Sequence, residues 1–198
     1  MPETPRIVVE PHKVYHIINR GNDYQPIFQD GQDYLKFLEF LVKYVCNVGA
    51  VIAYALMPNH FHLICQMNKE TDIPLNLRKN KNTLGNTFGH LQNAYAKYYN
   101  HRHRHIGSLF EKGFERHEIK DRDYLRNCII YLHLNSTKHR IVRNFQHYPW
   151  TSFPLIIAED ETALVDYQLH FELFGNKENF IEAHQNRDVT RWESFLEV

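Results

Sequence analysis

Two β-prone apolar runs, Val51 to Met57 and Phe61 to Met67, flank the turn-forming pair Pro58-Asn59. β-branched and aromatic residues favour strands, and a Pro-Asn pair favours a reversal. The pattern predicts a hairpin, and the hairpin limits the folds open to the rest of the chain. Upstream, Val14 to Ile18 reads as another strand, broken at Asn19-Arg20-Gly21-Asn22. From Asp33 to Val48 the apolar positions Tyr34, Leu38, Leu41 and Val45 recur at helical spacing, with Gly49 as a stop.

Downstream, residues 68–82 are polar, carry Arg78, Lys79 and Lys81, and read as a loop over the sheet. Leu84, Phe88, Leu91, Tyr95 and Tyr98 mark a second amphipathic helix, which runs into His101-Arg102-His103-Arg104-His105. Ser108 to Ile119 looks extended, with Gly113 as a bend. Asp121 or Asp123 then caps a third helix from about Tyr124 to Asn135. The order β-α-β-β-α-β followed by a helix predicts an α+β, ferredoxin-like antiparallel sheet with two helices on one face. The other face is left for a ligand or for the third helix. Residues 167–198 read as one or two short helices, an acidic C-terminal helical extension with no chemical motif.

Hydrophobic residues at 43% and charged residues at 23% match a soluble globular protein. No apolar run approaches the ~20 residues of a membrane span, and the N-terminus lacks a signal-peptide core. Cys46, Cys65 and Cys128 form no CxxC framework, so reduced thiols and a cytoplasmic location are expected. The formal net charge is zero, but it is unevenly spread. Residues 78–120 hold nine Lys/Arg against three Glu, whereas residues 159–198 hold three Lys/Arg against ten Asp/Glu. A basic middle before an acidic tail points to an anionic ligand on the main domain.

In His60-Phe61-His62 the strand alternation puts both imidazoles on one face, expected to be the open face and not the core, with Phe61 on the other. Two such histidines can grip one divalent cation, but an isolated His-x-His is more often two polar histidines on a solvent-facing strand, and the motif gains meaning only with a third ligand and a reactive group beside it. In Tyr131-Leu132-His133-Leu134-Asn135 the Tyr and Asn stand four apart, stacked on one helical face. A tyrosine beside a metal is a sensible nucleophile for a phosphodiester, and an Asn oxygen can complete the coordination. Spacing alone favours a tyrosine packed in a helix–sheet interface over a nucleophile.

Ala55-Leu56-Met57-Pro58-Asn59-His60-Phe61-His62-Leu63-Ile64 resembles the metal-site strand of single-tyrosine HUH transposases, in particular the REP-associated tyrosine transposases and related insertion-sequence enzymes. Tyr15 to Asn22 with Gln25 to Phe28 resembles that group's first strand and loop, and Ser108 to Phe114 its segment before the catalytic helix. Tyr131 to Asn135 resembles the catalytic tyrosine segment, except that Ser136 stands where proline is usual.

The resemblance spans about residues 14–153. It implies a transposase domain over residues 1–158, with residues 159–198 as an appended acidic helical extension. It makes His60 and His62 metal ligands, Asn135 a third ligand and Tyr131 the nucleophile. It implies Mg²⁺ or Mn²⁺ as cofactor, single-stranded or hairpin DNA as partner, and a homodimer as one assembly. Arg20, Arg102, Arg104, Lys112 and Arg116 are the candidate DNA contacts. Tyr124, seven residues before Tyr131, is the competing tyrosine. The leading alternative is a nonenzymatic single-stranded nucleic-acid-binding module on the same fold, which would stack bases on sheet aromatics. A phosphodiesterase that activates water is a further one.

Overall fold

The computed structural model describes residues 8–74, 83–160 and 164–186. The basic loop residues Arg78, Lys79 and Lys81 and the end of the acidic tail lie outside the described residues.

Strands β1 (Val14–Arg20), β2 (Gly49–Met57), β3 (His60–Met67) and β4 (Glu115–Ile119) form one sheet in the order β2-β3-β1-β4. Every pair is antiparallel. With helices α1 (Gly31–Tyr44) and α2 (Thr83–His103) inserted after β1 and β3, this is the ferredoxin-like arrangement that the sequence predicts. The helix α1 starts two residues before the periodic run, because the Asp30 carboxylate accepts from the Gln32 and Asp33 amides.

The predicted extended segment 108–119 is regular only over Glu115–Ile119; upstream it is tied to the end of β1 by a bridge between Gly21 and Phe110 and by Gln25 Nε2 donating to the Ser108 and Leu109 carbonyls. Gly113, at φ 80°, makes the bend. Few residues other than glycine adopt that angle without strain.

Sheet alternation sorts the two faces. Phe61 meets Phe37 of α1 at 5.0 Å, and Tyr95 of α2 packs against the same Phe37 at 5.1 Å. The opposite face takes helix α3 (Arg122–Lys138), capped by Asp121 through the Tyr124 amide. Thus the face left for a ligand or a helix is occupied by the helix. Beyond it, residues 150–152 run along the free edge of β2, with Leu56 donating to the Trp150 carbonyl and Ser152 to the Tyr54 carbonyl. A covered edge strand offers no template for pairing with another chain.

The C-terminal part contributes helices α4 (Phe153–Ile157), α5 (Tyr167–Phe174) and α6 (Lys177–Gln185). Both α5 and α6 pack on α3, and Val165, just before α5, bridges Val51 of β2. Among the described residues no helix is long and apolar enough to cross a membrane.

Candidate metal and nucleophile site

The register of β1 on β3 sets Ile18 opposite His62 and Arg20 opposite His60. His16, Ile18 and Arg20 therefore share a face with His60 and His62. Ala55 of β2 is the other neighbour of His62, and its small side chain leaves room for α3. Helix α3 presents Tyr131, Asn135 and Lys138 to this face at spacings of four and three, one stripe of an α-helix.

His62 is buried, at 3% exposure, and His60 is half-buried. This corrects the expectation of imidazoles on an open sheet face: α3 roofs them. Burial drives the pKa of His60 down to about 4, helped by neighbouring His139, and holds His62 well below the ordinary histidine value, with His60 and His16 adding to the effect. Both rings are thus neutral near pH 7, with a lone pair to offer.

The hydrogen bonds show which nitrogen carries that lone pair. His60 Nδ1 lies 2.8 Å from Asn59 Oδ1, an acceptor, so the proton belongs on Nδ1 and Nε2 is bare. His62 Nδ1 lies 3.0 Å from His16 Nε2, while His62 Nε2 lies 3.3 Å from Asn135 Nδ2, a donor. His62 Nε2 is then bare as well. Asn135 Oδ1 lies 3.4 Å from His60 Nε2, so two acceptor atoms face each other there. Donors about 2.1 Å from one octahedral ion lie about 3 Å apart across a right angle, so this spacing fits a shared cation. No group of three His, Cys, Asp or Glu side chains suited to a metal ion occurs among the described residues. The Asn135 amide oxygen is the oxygen donor that faces His60 Nε2, so the side chains present could hold a divalent cation through two imidazole nitrogens and one amide oxygen, a mixed set that suits Mn²⁺ at least as well as Mg²⁺.

Tyr131 packs its ring edge-on to His62, with centroids 6.0 Å apart, and is 2% exposed. It lines a cavity of about 350 Å³ together with Arg20, Asn59, His60, His62 and His139. Lys138 Nζ reaches the Tyr131 hydroxyl at 3.5 Å. Tyr124 belongs to the first turn of α3 and is absent from this cavity; burial raises its pKa to about 12.

The candidate DNA contacts disperse. Arg20 lines the cavity and pairs with Glu111 at 2.7 Å. Arg102 is taken up by Asp30 and buried Asp33 at 2.7 and 2.5 Å, tying α2 to the start of α1. Arg104 is exposed just beyond α2. Exposed Lys112 and half-buried Arg116 line a groove of about 820 Å³ beside α2, and Arg116 points to the α2 side of the sheet, away from the histidines. Sequence reasoning missed His16, Lys138 and His139 at the site. Lys138 was signalled by its seven-residue spacing from Tyr131, and His16 by its β1 alternation with Arg20.

The fold is shared with a REP-associated tyrosine transposase. Its structure, solved bound to a REP hairpin, aligns with a TM-score of 0.60 and 16% identity over 83% of this chain and 90% of the other. A bacterial tRNA(His) guanylyltransferase-like protein in complex with GTP aligns more loosely, with a TM-score of 0.44 and 14% identity over 69% of this chain and 67% of the other. No family model matches the chain, and no curated protein matches it.

Proposed function

We propose that this protein is a DNA transposase of the single-tyrosine HUH type, acting on single-stranded or hairpin DNA with a divalent cation. The observation that carries the reading is the convergence of His60 Nε2, His62 Nε2 and the Asn135 amide beside Tyr131. The likeness in fold to a transposase bound to a hairpin supports it.

In this reading Tyr131 Oη attacks a backbone phosphorus in line. An O–P bond forms to the tyrosine, the P–O3′ bond breaks, and the 3′ oxygen leaves as a hydroxyl after taking a proton. The phenol proton passes to solvent, and the product is a 5′-phosphotyrosine that the free 3′-hydroxyl can later attack. A phenol near pKa 10 is a poor nucleophile at pH 7, and the Lys138 ammonium favours its ionised form by donating to the oxygen. Arg20 at the cavity wall supplies a guanidinium for the phosphate. The cation held by His60, His62 and Asn135 would supply Lewis-acid polarisation of the scissile phosphate. Neutral imidazoles with bare Nε2 atoms are the ligand state such an ion requires.

The binding-module alternative needs an exposed sheet face for base stacking. Here α3 covers the face opposite α1 and α2, so that reading has no platform among the described residues. The deciding experiment incubates the protein with a 3′-labelled hairpin oligonucleotide bearing a single-stranded flank and Mn²⁺, because a 5′-phosphotyrosine retains the strand on the 3′ side of the cut. The expected result is a protein–DNA adduct that resists denaturation and maps to Tyr131. A Tyr131→Phe protein should form none, while Tyr124→Phe should match the parent. Cleavage without any adduct would move the assignment to a water-activating phosphodiesterase.

A further inference from the structure

We propose that His16 is a positioning residue for the metal site, holding the His62 ring in the tautomer and plane that turn Nε2 toward the cation. The inference rests on the metal reading above and adds a residue to it.

His16 sits on β1, opposite Ile64 of β3 and His117 of β4, two residues along from the Ile18–His62 pair. It is 1% exposed, so its ring nitrogens must find partners inside the protein or go without. Its Nε2 lies 3.0 Å from His62 Nδ1, and the rings stack with centroids 5.2 Å apart and planes 21° off parallel. The contact therefore fixes both the position and the rotation of His62.

The proton inventory gives the contact its direction. A histidine binds a metal through one bare nitrogen, and the other nitrogen commonly donates to a fixed acceptor. For His60 that acceptor is Asn59 Oδ1. For His62 the atom within reach is His16 Nε2, which accepts only if His16 is neutral and carries its own proton on Nδ1. His16 is buried with the His62 and His117 rings as its ring neighbours, the setting of an uncharged imidazole. The facing charged and titratable groups are His62 on β3 and His117 on β4.

The arrangement has a stability cost. His16 Nδ1 is buried and has no hydrogen-bond partner among the described residues. A leucine or phenylalanine here would avoid an orphaned polar atom. Retaining histidine makes sense if the ring acts on His62.

The test uses two variants and two readouts. His16→Phe keeps a planar ring and removes the acceptor; His16→Gln keeps an acceptor, Oε1, within reach of His62 Nδ1. The first readout is the tautomer of His62 by ¹⁵N chemical shift near pH 7.5 in metal-free protein, with the resonance assigned by its loss in His62→Gln. We expect the Nδ1–H form in the parent and in His16→Gln, and a mixture or the Nε2–H form in His16→Phe. The second readout is Mn²⁺ binding by calorimetry, with His60→Ala as the control for loss of the site. His16→Phe should bind Mn²⁺ about 10- to 100-fold more weakly than the parent, with His16→Gln between them. A parent-like tautomer and parent-like Mn²⁺ affinity in His16→Phe would overturn the proposal. If the parent binds no Mn²⁺ but the tautomer responds as expected, the metal reading fails and the orienting contact stands. Should His16→Phe not fold, His16→Gln decides: an Nε2–H His62 there would sink the idea.

Discussion

The Lys138 ammonium lies 3.5 Å from the Tyr131 hydroxyl and 5.0 Å from the centroid of the same ring. Two turns of α3 separate the residues, so the contact depends on the helix continuing through Ser136 to Lys138. A cation held there favours the phenolate over the phenol. Lys138→Met should slow adduct formation about tenfold near pH 7, equivalent to about 1.4 kcal/mol of barrier. The deficit should shrink as pH rises toward the phenol pKa of about 10, and Lys138→Arg should recover part of the rate. Equal single-turnover rates for parent and Lys138→Met across pH 6–9 would remove Lys138 from the mechanism.

His60 and His62 should separate in stability although the proposed function needs both for adduct formation. His62 is buried against His16, Tyr131 and Asn135, so His62→Ala opens a cavity and strips His16 Nε2 of its partner. A loss of about 2–4 kcal/mol follows from those two effects together. His60 is half-buried at the cavity wall, and His60→Ala should lose about 1 kcal/mol or less. Both proteins should give no adduct. Asn135→Ala should retain some activity that extra Mn²⁺ raises, because it removes one ligand and leaves two. Urea melts of the three variants check the ranking, and a His62→Ala protein as stable as the parent would contradict the burial argument.

Arg102 is held by two carboxylates of the fold, and we expect its loss to tell on stability before DNA binding. Its guanidinium bonds both Asp30 and Asp33, and the Asp33 carboxylate is fully buried and also receives the Gln29 amide. Removing one partner of a buried pair strands the other, which costs about 3–5 kcal/mol. His103 also touches Asp33, at 3.0 Å, so the lower end of that range is expected for Arg102→Ala. The salt dependence of hairpin binding should keep the parent slope. Arg20→Ala should weaken binding and flatten the slope, since Arg20 lines the cavity. The opposite pairing of effects would restore Arg102 as a phosphate contact.

The parts legible in the sequence are those encoded by period and turn chemistry. The alternation at His60-Phe61-His62 gave the shared face, Pro58-Asn59 gave the hairpin, and the four-residue spacing brought Tyr131 and Asn135 together on α3. Contacts made by long-range pairing were not legible. His16 meets His62 across 46 residues because β1 lies beside β3, and nothing in the local pattern of β1 encodes that partner. Arg102 looked like a free cation for the same reason, since its carboxylate partners belong to a helix about 70 residues upstream. Half-buried Arg116 was assigned to the DNA by charge alone, whereas β4 alternation points it to the α2 side. Charge composition identifies how many cations a segment has and leaves open which ones the fold neutralises.

A hydrogen-bonded row that crosses from the sheet to α6 should add to the pH dependence of stability that His16, His60 and His62 bring by the same burial. Tyr54 N–H donates to Ser152 Oγ at 3.1 Å, and Ser152 Oγ lies 2.7 Å from His133 Nε2. His133 Nδ1 lies 2.8 Å from His184 Nε2, and His184 Nδ1 lies 2.7 Å from the Phe180 carbonyl. A carbonyl only accepts, so His184 carries its proton on Nδ1, accepts from His133 Nδ1–H, and leaves His133 Nε2 to accept from Ser152. Every partner is satisfied when both rings are neutral. A further proton on His184 Nε2 would set two N–H groups against each other, and one on His133 Nε2 would force Ser152 Oγ to accept where it had donated. Burial, with His184 and His170 nearby, holds the His133 pKa well below 6.5, and burial also lowers that of His170. A histidine depressed in the folded state is protonated first in the unfolded chain. Its stabilising effect is therefore complete above the unfolded pKa of about 6.5 and is lost as pH falls toward the folded value. Each such group removes up to about 1.4 kcal/mol per pH unit in that window. The urea midpoint should be flat from pH 8 to 7 and then fall steeply from pH 6.5 to 4.5. Ser152→Ala strands His133 Nε2 and should cost about 1–3 kcal/mol at pH 7.5, with the steep region still present. A stability profile level down to pH 5 would mean that these imidazoles are not held neutral.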